Sequence, residues 1–447
     1  MTLHGRILVA ALLFGAAAPM AAQQPQQRIT FDDAIGLALK NNVSVRQAQN
    51  TVDLNDAAVK QQKLQRLPDL RLNVSGAENV GRSFDQNAGS VVDQQSQALS
   101  SGLSSSMTLF DGGKTQAAIR GAQASSQASA SDLSRARQTA VFTVAQDYVA
   151  LSNQQAQLGV QQDNLAAQQG QLDLIQKFVD AGSRPTADLY QQQAVVASAR
   201  LSIAQVNRAV EEAKINLIQA LQLDPAGTYD FVAPKLTPAA NQPTYSLDSL
   251  ITRAYAARAD LEAQQSRSDA AAQDVKVAKA ARLPTISVTG GYNSAFNTAS
   301  QLGLADQLNQ RRGGSVGIGM SIPLFDRGAA NVAAQRAQIA EDNARLALDS
   351  QKQAVALDVR RAYLDQTSAK EQLAAAEAQL AAAAQAVNMA QQRYQAGAAT
   401  LVDVTQARAQ QTAAASAVAT ARNNLVLQQT VLSYYTGDLD PNKVSLE

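Results

Sequence analysis

Three short stretches of the chain have residue types and spacings that invite a chemical reading. Gly113-Lys114-Thr115 has the ending of a phosphate-binding loop, in which backbone amides cradle phosphates and a lysine reaches their oxygens. The glycine such a loop needs five residues before Gly113 is Thr108, so the cradle is incomplete. Gly317 and Gly319 suggest the turn of a dinucleotide site, but Ile322 stands in the final glycine place and no helix is expected there. Adjacent acids such as Glu211-Glu212 could divide general acid and base work, yet on a helix they read as a solvated face. The chain has no cysteine, and its one histidine is His4. Without either in the mature chain, Ser-His, Cys-His and His-zinc chemistry is excluded, as are disulfides and cysteine-held metals. No catalytic residue, cofactor or metal is expected, and the chain does not read as an enzyme.

Composition narrows the classes further. Of 447 residues, 46% are hydrophobic and 17% charged, with 11 prolines, which describes an ordered protein. Lys and Arg number 38 against 37 Asp and Glu, a balance that offers no basic surface for nucleic acid. Arg6, the apolar run Ile7 to Ala18, Pro19 and the small residues Ala21 and Ala22 describe a secretory signal peptide over residues 1–22. No other apolar run is long enough for a helical span, so a membrane could be met only by strands.

The mature chain is one unit written twice, at an offset of about 215 residues. Arg66-Leu67-Pro68 falls on Arg282-Leu283-Pro284, Leu109-Phe110-Asp111 on Leu324-Phe325-Asp326, and Ala181-Gly182 on Ala396-Gly397. Asp188 falls on Asp403, and Asp224-Pro225 on Asp440-Pro441. The expected division is a first repeat at 23–225, a linker at 226–244, a second repeat at 245–441 and a short tail at 442–447.

Within each repeat, apolar residues recur every seven positions. Val144, Leu151, Leu158, Leu165 and Leu172 do so in the first, and Val359, Leu373, Leu380, Val387 and Tyr394 in the second, with Gln366 as a break. A strict heptad repeat imposes a left-handed supercoil. Long helices are expected over 112–180 and 328–396, each roughly 100 Å long. Returning helices follow over 186–221 and 401–435, and single helices over 32–65 and 247–281 supply the remaining length. Gln155, Gln162 and Gln169 share the seam, which suits a sheath of helices better than a thick core.

Each repeat also carries a hairpin of alternating residues, over 69–110 and 285–325. Val316, Ile318, Met320, Ile322 and Leu324 alternate with Ser315, Gly317, Gly319 and Ser321, and Ile286, Val288 and Tyr292 with Ser287, Thr289 and Gly291. The opposite face is small and polar rather than charged, which suits an outer-membrane barrel better than a soluble sheet. Four strands of about ten residues are too few to close a barrel, so several copies must share one. Residues 79–98 and 297–312 are expected as external loops.

These features together resemble the bacterial outer membrane efflux proteins of the TolC type. The resemblance covers residues 30–441. It rests on Arg-Leu-Pro before each hairpin, on Leu-Phe-Asp-Gly-Gly at 109–113 and Pro-Leu-Phe-Asp-Arg-Gly at 323–328, and on Tyr394-Gln395-Ala396-Gly397 followed by Val402-Asp403-Val404. It implies a mainly α fold with a membrane β-barrel, in which three copies share twelve strands above a periplasmic α-barrel. It also implies an exit duct of a tripartite efflux or type I secretion system, with a periplasmic adaptor, an inner-membrane transporter and outer membrane lipid as partners. Asp403 would line the tunnel entrance in a carboxylate ring that favours cations, while Asp188 and Tyr394 hold the closed state. Gly182, Gly397, Arg184 and Thr400 would form the tips that meet the adaptor. Two places depart from the family pattern, Gln406 for an acid and Ala399 for a base, and Arg184 could replace the latter. Thr400 to Asp403 equally fits a capping box, and Asp188 suits the first turn of a helix. The rival reading is a periplasmic coiled-coil scaffold or adaptor that forms no pore.

Overall fold

The computed structural model describes residues 27–85, 89–233, 245–298, 300 and 302–440. The expected leader at 1–22 and tail at 442–447 lie outside them, as does most of the linker. From the N-terminus, β1 (Gln27–Ile29) leads into α1 (Phe31–Asn41) and α2 (Val43–Leu64). A hairpin of β2 (Arg71–Asp85) and β3 (Ser90–Phe110) follows, then α3 (Lys114–Asp180) and its returning partner α4 (Thr186–Ala220). After β4 (Tyr229–Phe231) the plan repeats as α5 (Leu247–Ala257), α6 (Ala259–Ala280), β5 (Thr285–Asn297) and a short α7 (Leu304–Gln310). It closes with β6 (Gly313–Ser321), α8 (Ala329–Gln395) and α9 (Leu401–Thr436).

The long helices α3 and α8 have 67 residues each, about 100 Å of rise. Both start from the repeated Leu-Phe-Asp motif. Asp111 Oδ2 accepts from Thr115 N at 2.8 Å, and Asp326 Oδ2 accepts from Ala330 N at 2.6 Å. Each carboxylate thus satisfies an amide that the first helical turn leaves without a partner. These bonds hold the Asp326 carboxyl below the usual carboxylate range. Gly112 (φ 69°) is confined to glycine, because a Cβ there would lie 2.6 Å from that of Leu283. Its counterpart in the second repeat is Arg327, at φ 57°.

Of the heptad residues, Val144, Leu151, Val359, Val387 and Tyr394 are buried, while Leu158, Leu165, Leu172, Leu373 and Leu380 are half-buried; Val196, Val210, Leu217, Val355 and Val404 are buried on the packed faces as well. Gln366, the break in the pattern, is buried in the same row. Small residues such as Ala199, Ala369 and Ala414 fill the intervening places, so the packed layer stays one side chain thick. Against α3 lie α2 and α6 toward the sheet and α4 and α9 toward the other end, while α8 packs on α6 and α9.

The single helices expected over 32–65 and 247–281 are each broken in two. At Asn42 the backbone is extended (φ −58°, ψ 126°), and its side chain caps α2 by accepting from Ser44 N at 2.9 Å. The second break falls at Arg258, which is buried and binds Asp260 at 2.6 Å and Asp358 at 3.4 Å. Neither a capping side chain nor a buried ion pair alters hydrophobic spacing, which is why the pattern runs through both breaks. The linker at 226–244 also holds structure, since β4 pairs in parallel with β1. This two-stranded clasp roofs a cluster in which Tyr148 meets Phe31 and Phe231 edge-on at 5.4 and 6.3 Å. The Tyr148 hydroxyl donates to Thr30 O at 3.1 Å, and burial raises its pKa.

The other four strands form one antiparallel sheet in the order β2-β3-β5-β6, with β2 and β6 at open edges. One face is apolar and bare, with Val316 85% exposed, Ile318 73% and Met320 65%. On the other face the Ser75 and Ser100 hydroxyls meet at 2.7 Å among glycines and threonines. A bulge between Thr108 and Phe110 brings Phe110 opposite Ile286. β2 and β3 are 15 and 21 residues long, not about ten, so the loop expected over 79–98 is largely paired strand. Toward its tip this hairpin carries polar cross-strand pairs, Glu78 with Gln95 and Arg82 with Asp93 at 3.6 Å, beside exposed Val80 and the pair of Phe84 and Val91. A search for apolar alternation passes over such pairs. The second expected loop, 297–312, contains α7.

Among the described residues no helix is long and apolar enough to cross a membrane, and no three acids or imidazoles are grouped to hold a metal.

Candidate functional site at the helix tips

The ends of α3 and α8 farthest from the sheet turn in the same way. Ser183 N donates to Phe178 O at 2.9 Å and Gly182 N to Val179 O at 2.9 Å, with Gly182 at φ 68°. In the second repeat Ala398 N donates to Arg393 O at 2.8 Å and Gly397 N to Tyr394 O at 3.0 Å, with Gly397 at φ 78°. This is the left-handed helix stop that satisfies the last carbonyls and favours glycine. The chain then re-enters a helix after Pro185 in one tip and Thr400 in the other.

Between the tips Tyr394 is fully buried against Ile175, Leu401 and Val404. Its hydroxyl lies 3.4 Å from Asp188 Oδ2, a long and weak hydrogen bond. Arg184 approaches from the other side, donating Nη2 to the Tyr394 carbonyl at 2.7 Å with its guanidinium carbon 4.4 Å from the ring centroid. Burial raises the Tyr394 pKa, the negative charge of Asp188 adds to that, and Arg184 opposes it. The structure therefore brings Arg184, Asp188 and Tyr394 into one cluster joining the α3/α4 tip to the end of α8. Arg184 does so from the first tip, while Ala399 packs among the apolar neighbours.

Asp403 stands apart from that cluster. Its Oδ2 accepts from Thr400 N and Thr400 Oγ1, both at 2.8 Å, and its own amide donates to Thr400 Oγ1 at 3.3 Å. These bonds complete a capping box and hold the carboxyl below its usual range, with Arg393 contributing less. The residue is exposed, so its charge faces solvent even while it caps α9.

Higher on the same helices lie polar residues that the sequence pattern does not single out. Gln192, fully buried, donates Nε2 to Gln168 O at 3.0 Å and to Gln168 Oε1 at 2.8 Å. Arg408 reaches Gln391 Oε1 at 3.2 Å, its Nε is buried without a partner among the described residues, and burial lowers its pKa. Of the glutamines expected in the seam, Gln155 is half-buried and Gln162 and Gln169 are exposed, and the buried ones in this region are instead Gln168, Gln171 and Gln192, off the expected spacing.

With this geometry in hand, comparison with known proteins is decisive for kinship. The chain matches the family described as outer membrane efflux protein twice, over residues 34–222 and 250–438, once in each repeat. The pyoverdine export outer membrane protein OpmQ of Pseudomonas putida is 26% identical over 275 residues, 60% of this chain. The matched stretch spans 52% of that relative, about half its length. Among solved structures, CusC superimposes with a TM-score of 0.79 at 21% identity, covering 91% of this chain and 92% of CusC. VceC of Vibrio cholerae does so with a TM-score of 0.78 at 21% identity, covering 91% and 96%. The fold is thus that of the TolC-like channels, a family of channels rather than enzymes. The chain belongs to the outer membrane efflux protein family, and its place is the outer membrane, with its long helices in the periplasm.

Proposed function

We propose that three copies of this chain form the exit duct of a tripartite export machine, through which an energised inner-membrane transporter passes its cargo. The observation that carries this reading is the open four-stranded sheet, whose bare aliphatic face has the character of a lipid-facing wall. An open edge in hydrocarbon leaves amides unpaired, so β6 must meet β2 of another copy. Four strands fall below the eight with which single-chain barrels begin, and three copies supply twelve.

The helices support the same join. Exposed apolar residues on α2 and α4 match those on α8 in height. Tyr190 and Met389 both lie within about 10 Å of the tips, and Ile215 and Leu364 both about 45 Å above them. Leu54 and Ile339 each lie about 15 Å below the sheet ends of their helices. One edge complementary to a different edge is a head-to-tail interface, which closes into a ring. A scaffold that never enters a bilayer gives no reason for the aliphatic face of the sheet.

In the ring the tips form the periplasmic entrance. Asp403 supplies an exposed carboxylate from each copy, which favours cations, and the Arg184, Asp188 and Tyr394 cluster holds the tips together in the closed state. The turns at Gly182 and Gly397, with Arg184 and Thr400, are the surface offered to a periplasmic adaptor. Because the chain has no cysteine, the join can be trapped cleanly. Ile215→Cys with Leu364→Cys should give, on oxidation, a ladder ending at three chains. A ladder ending at two, or none in protein that is folded and membrane-bound, contradicts the arrangement.

A further inference from the structure

At the end of the sheet away from the helices, β6 stops opposite Asn293, leaving the rest of β5 without a strand neighbour on that side among the described residues. Gln307 takes the neighbour's place. Fully buried, its Oε1 accepts from Asn297 N at 3.0 Å and its Nε2 donates to Asn297 O at 3.0 Å and to Leu302 O at 2.6 Å. The amide side chain thus completes the ladder as a backbone would and pins α7 to the strand. Ser294 Oγ donates to Leu308 O at 2.7 Å. Ser294 lies two residues from both Tyr292 and Phe296 and so shares the apolar face with them. The end of α7 therefore lies on the outward side of the sheet, where Leu304 and Leu308, one turn apart, prolong the apolar band. Arg311 and Arg312 follow at once, both exposed and neither in an ion pair among the described residues. Asp306, the acid of this segment, sits in the first turn of α7, at its opposite end.

We infer that α7 and the Arg311-Arg312 pair form a binding site for the phosphate groups of an outer-leaflet glycolipid. The inference rests on the barrel reading above. In that reading the bare face of the sheet contacts acyl chains, and the far end of the sheet stands at the outer headgroups. Two guanidinium groups just past the apolar band lie where lipid phosphates lie, and their planar donors match phosphate oxygens in pairs. Gln307 gives the site a fixed base, since it locks the preceding helix to the wall. The competing use of these arginines is an ion pair with an acid on β2 of the next copy, such as Glu78.

Titration of the purified full chain in detergent with fluorescent bis-phosphorylated lipid A tests this, with bilayer conductance measured on the same preparation. Wild type should bind saturably, and Arg311→Ala with Arg312→Ala should weaken binding at least about tenfold. Conductance and trimer migration should stay unchanged, and Arg311→Lys with Arg312→Lys should keep most of the binding. Lipid A stripped of its phosphates should bind wild type no better than the intact lipid binds the double alanine variant. Unchanged binding by the alanine variant, equal binding of the stripped lipid, or displacement by millimolar inorganic phosphate, which marks an adventitious ion only, would overturn the site. Loss of the trimer in the alanine variant would overturn it too, by assigning the arginines to contact between copies. Protein that conducts but binds no lipid A loses this site alone, while protein that does neither loses the barrel reading as well.

Discussion

The Arg184 guanidinium carbon lies 4.4 Å from the centroid of the Tyr394 ring while its Nη2 donates to the Tyr394 carbonyl at 2.7 Å. One side chain from the first repeat thereby grips both the backbone and the ring of a residue in the second. A charged hydrogen bond and a half-desolvated cation over a ring each contribute about 1–2 kcal/mol. Arg184→Ala should shift the balance of closed and open tips by about tenfold or more, seen as higher mean conductance in a planar bilayer. Tyr394→Phe removes only the 3.4 Å bond to Asp188 and should do much less. Equal conductance in wild type and Arg184→Ala would show that the grip does not hold the tips.

Asp403 has two uses that one substitution separates. Asparagine can still accept from Thr400 N, so Asp403→Asn should leave the thermal unfolding temperature close to that of wild type. It removes the charge, so the reversal potential in unequal salt should move toward zero. An unchanged reversal potential would limit Asp403 to capping α9.

Asp147 sits half-buried on α3 with no basic partner among the described residues, and burial pushes its carboxyl up to about 6. The folded protein therefore binds this proton more tightly than the unfolded chain does. The stability so gained is full below about pH 4 and is lost as pH rises through 6. Asp147→Asn should accordingly raise stability by about 2 kcal/mol at pH 8 and change little at pH 4, measured by thermal unfolding at both. A gain of the same size at both values would rule out desolvation of the carboxylate as the cause.

Arg327 occupies the left-handed backbone place that Gly112 fills in the first repeat. Arg327→Gly should relieve that conformation and stabilise the protein by about 1 kcal/mol, measured by thermal unfolding. A loss of stability would mean that the Arg327 side chain contributes more than its backbone costs.

The sequence makes the framework legible because the framework is periodic. Heptads mark the seams of α3 and α8, alternation marks the apolar faces of β5 and β6, and the doubled Leu-Phe-Asp motif marks the start of each long helix. What escapes the pattern is held by single polar side chains or by very short strands. Asn42 and Arg258 break helices that hydrophobic spacing would continue, and Gln307 replaces a strand with one amide. Glu78 with Gln95, and Arg82 with Asp93, extend a hairpin beyond the residues where apolar alternation is regular. At the tips the glycine turns and the capping box are readable from residue type. The approach of Arg184 to Tyr394 is not, because it joins residues 210 positions apart in the chain.

Single-channel recording tests the central claim most directly. The purified mature protein, added to a planar bilayer with unequal salt on its two sides, should insert and give discrete conductance steps with a cation-leaning reversal potential. Protein that is folded and oligomeric yet never inserts would contradict the duct, and the assignment of β2, β3, β5 and β6 to a membrane wall would fall first.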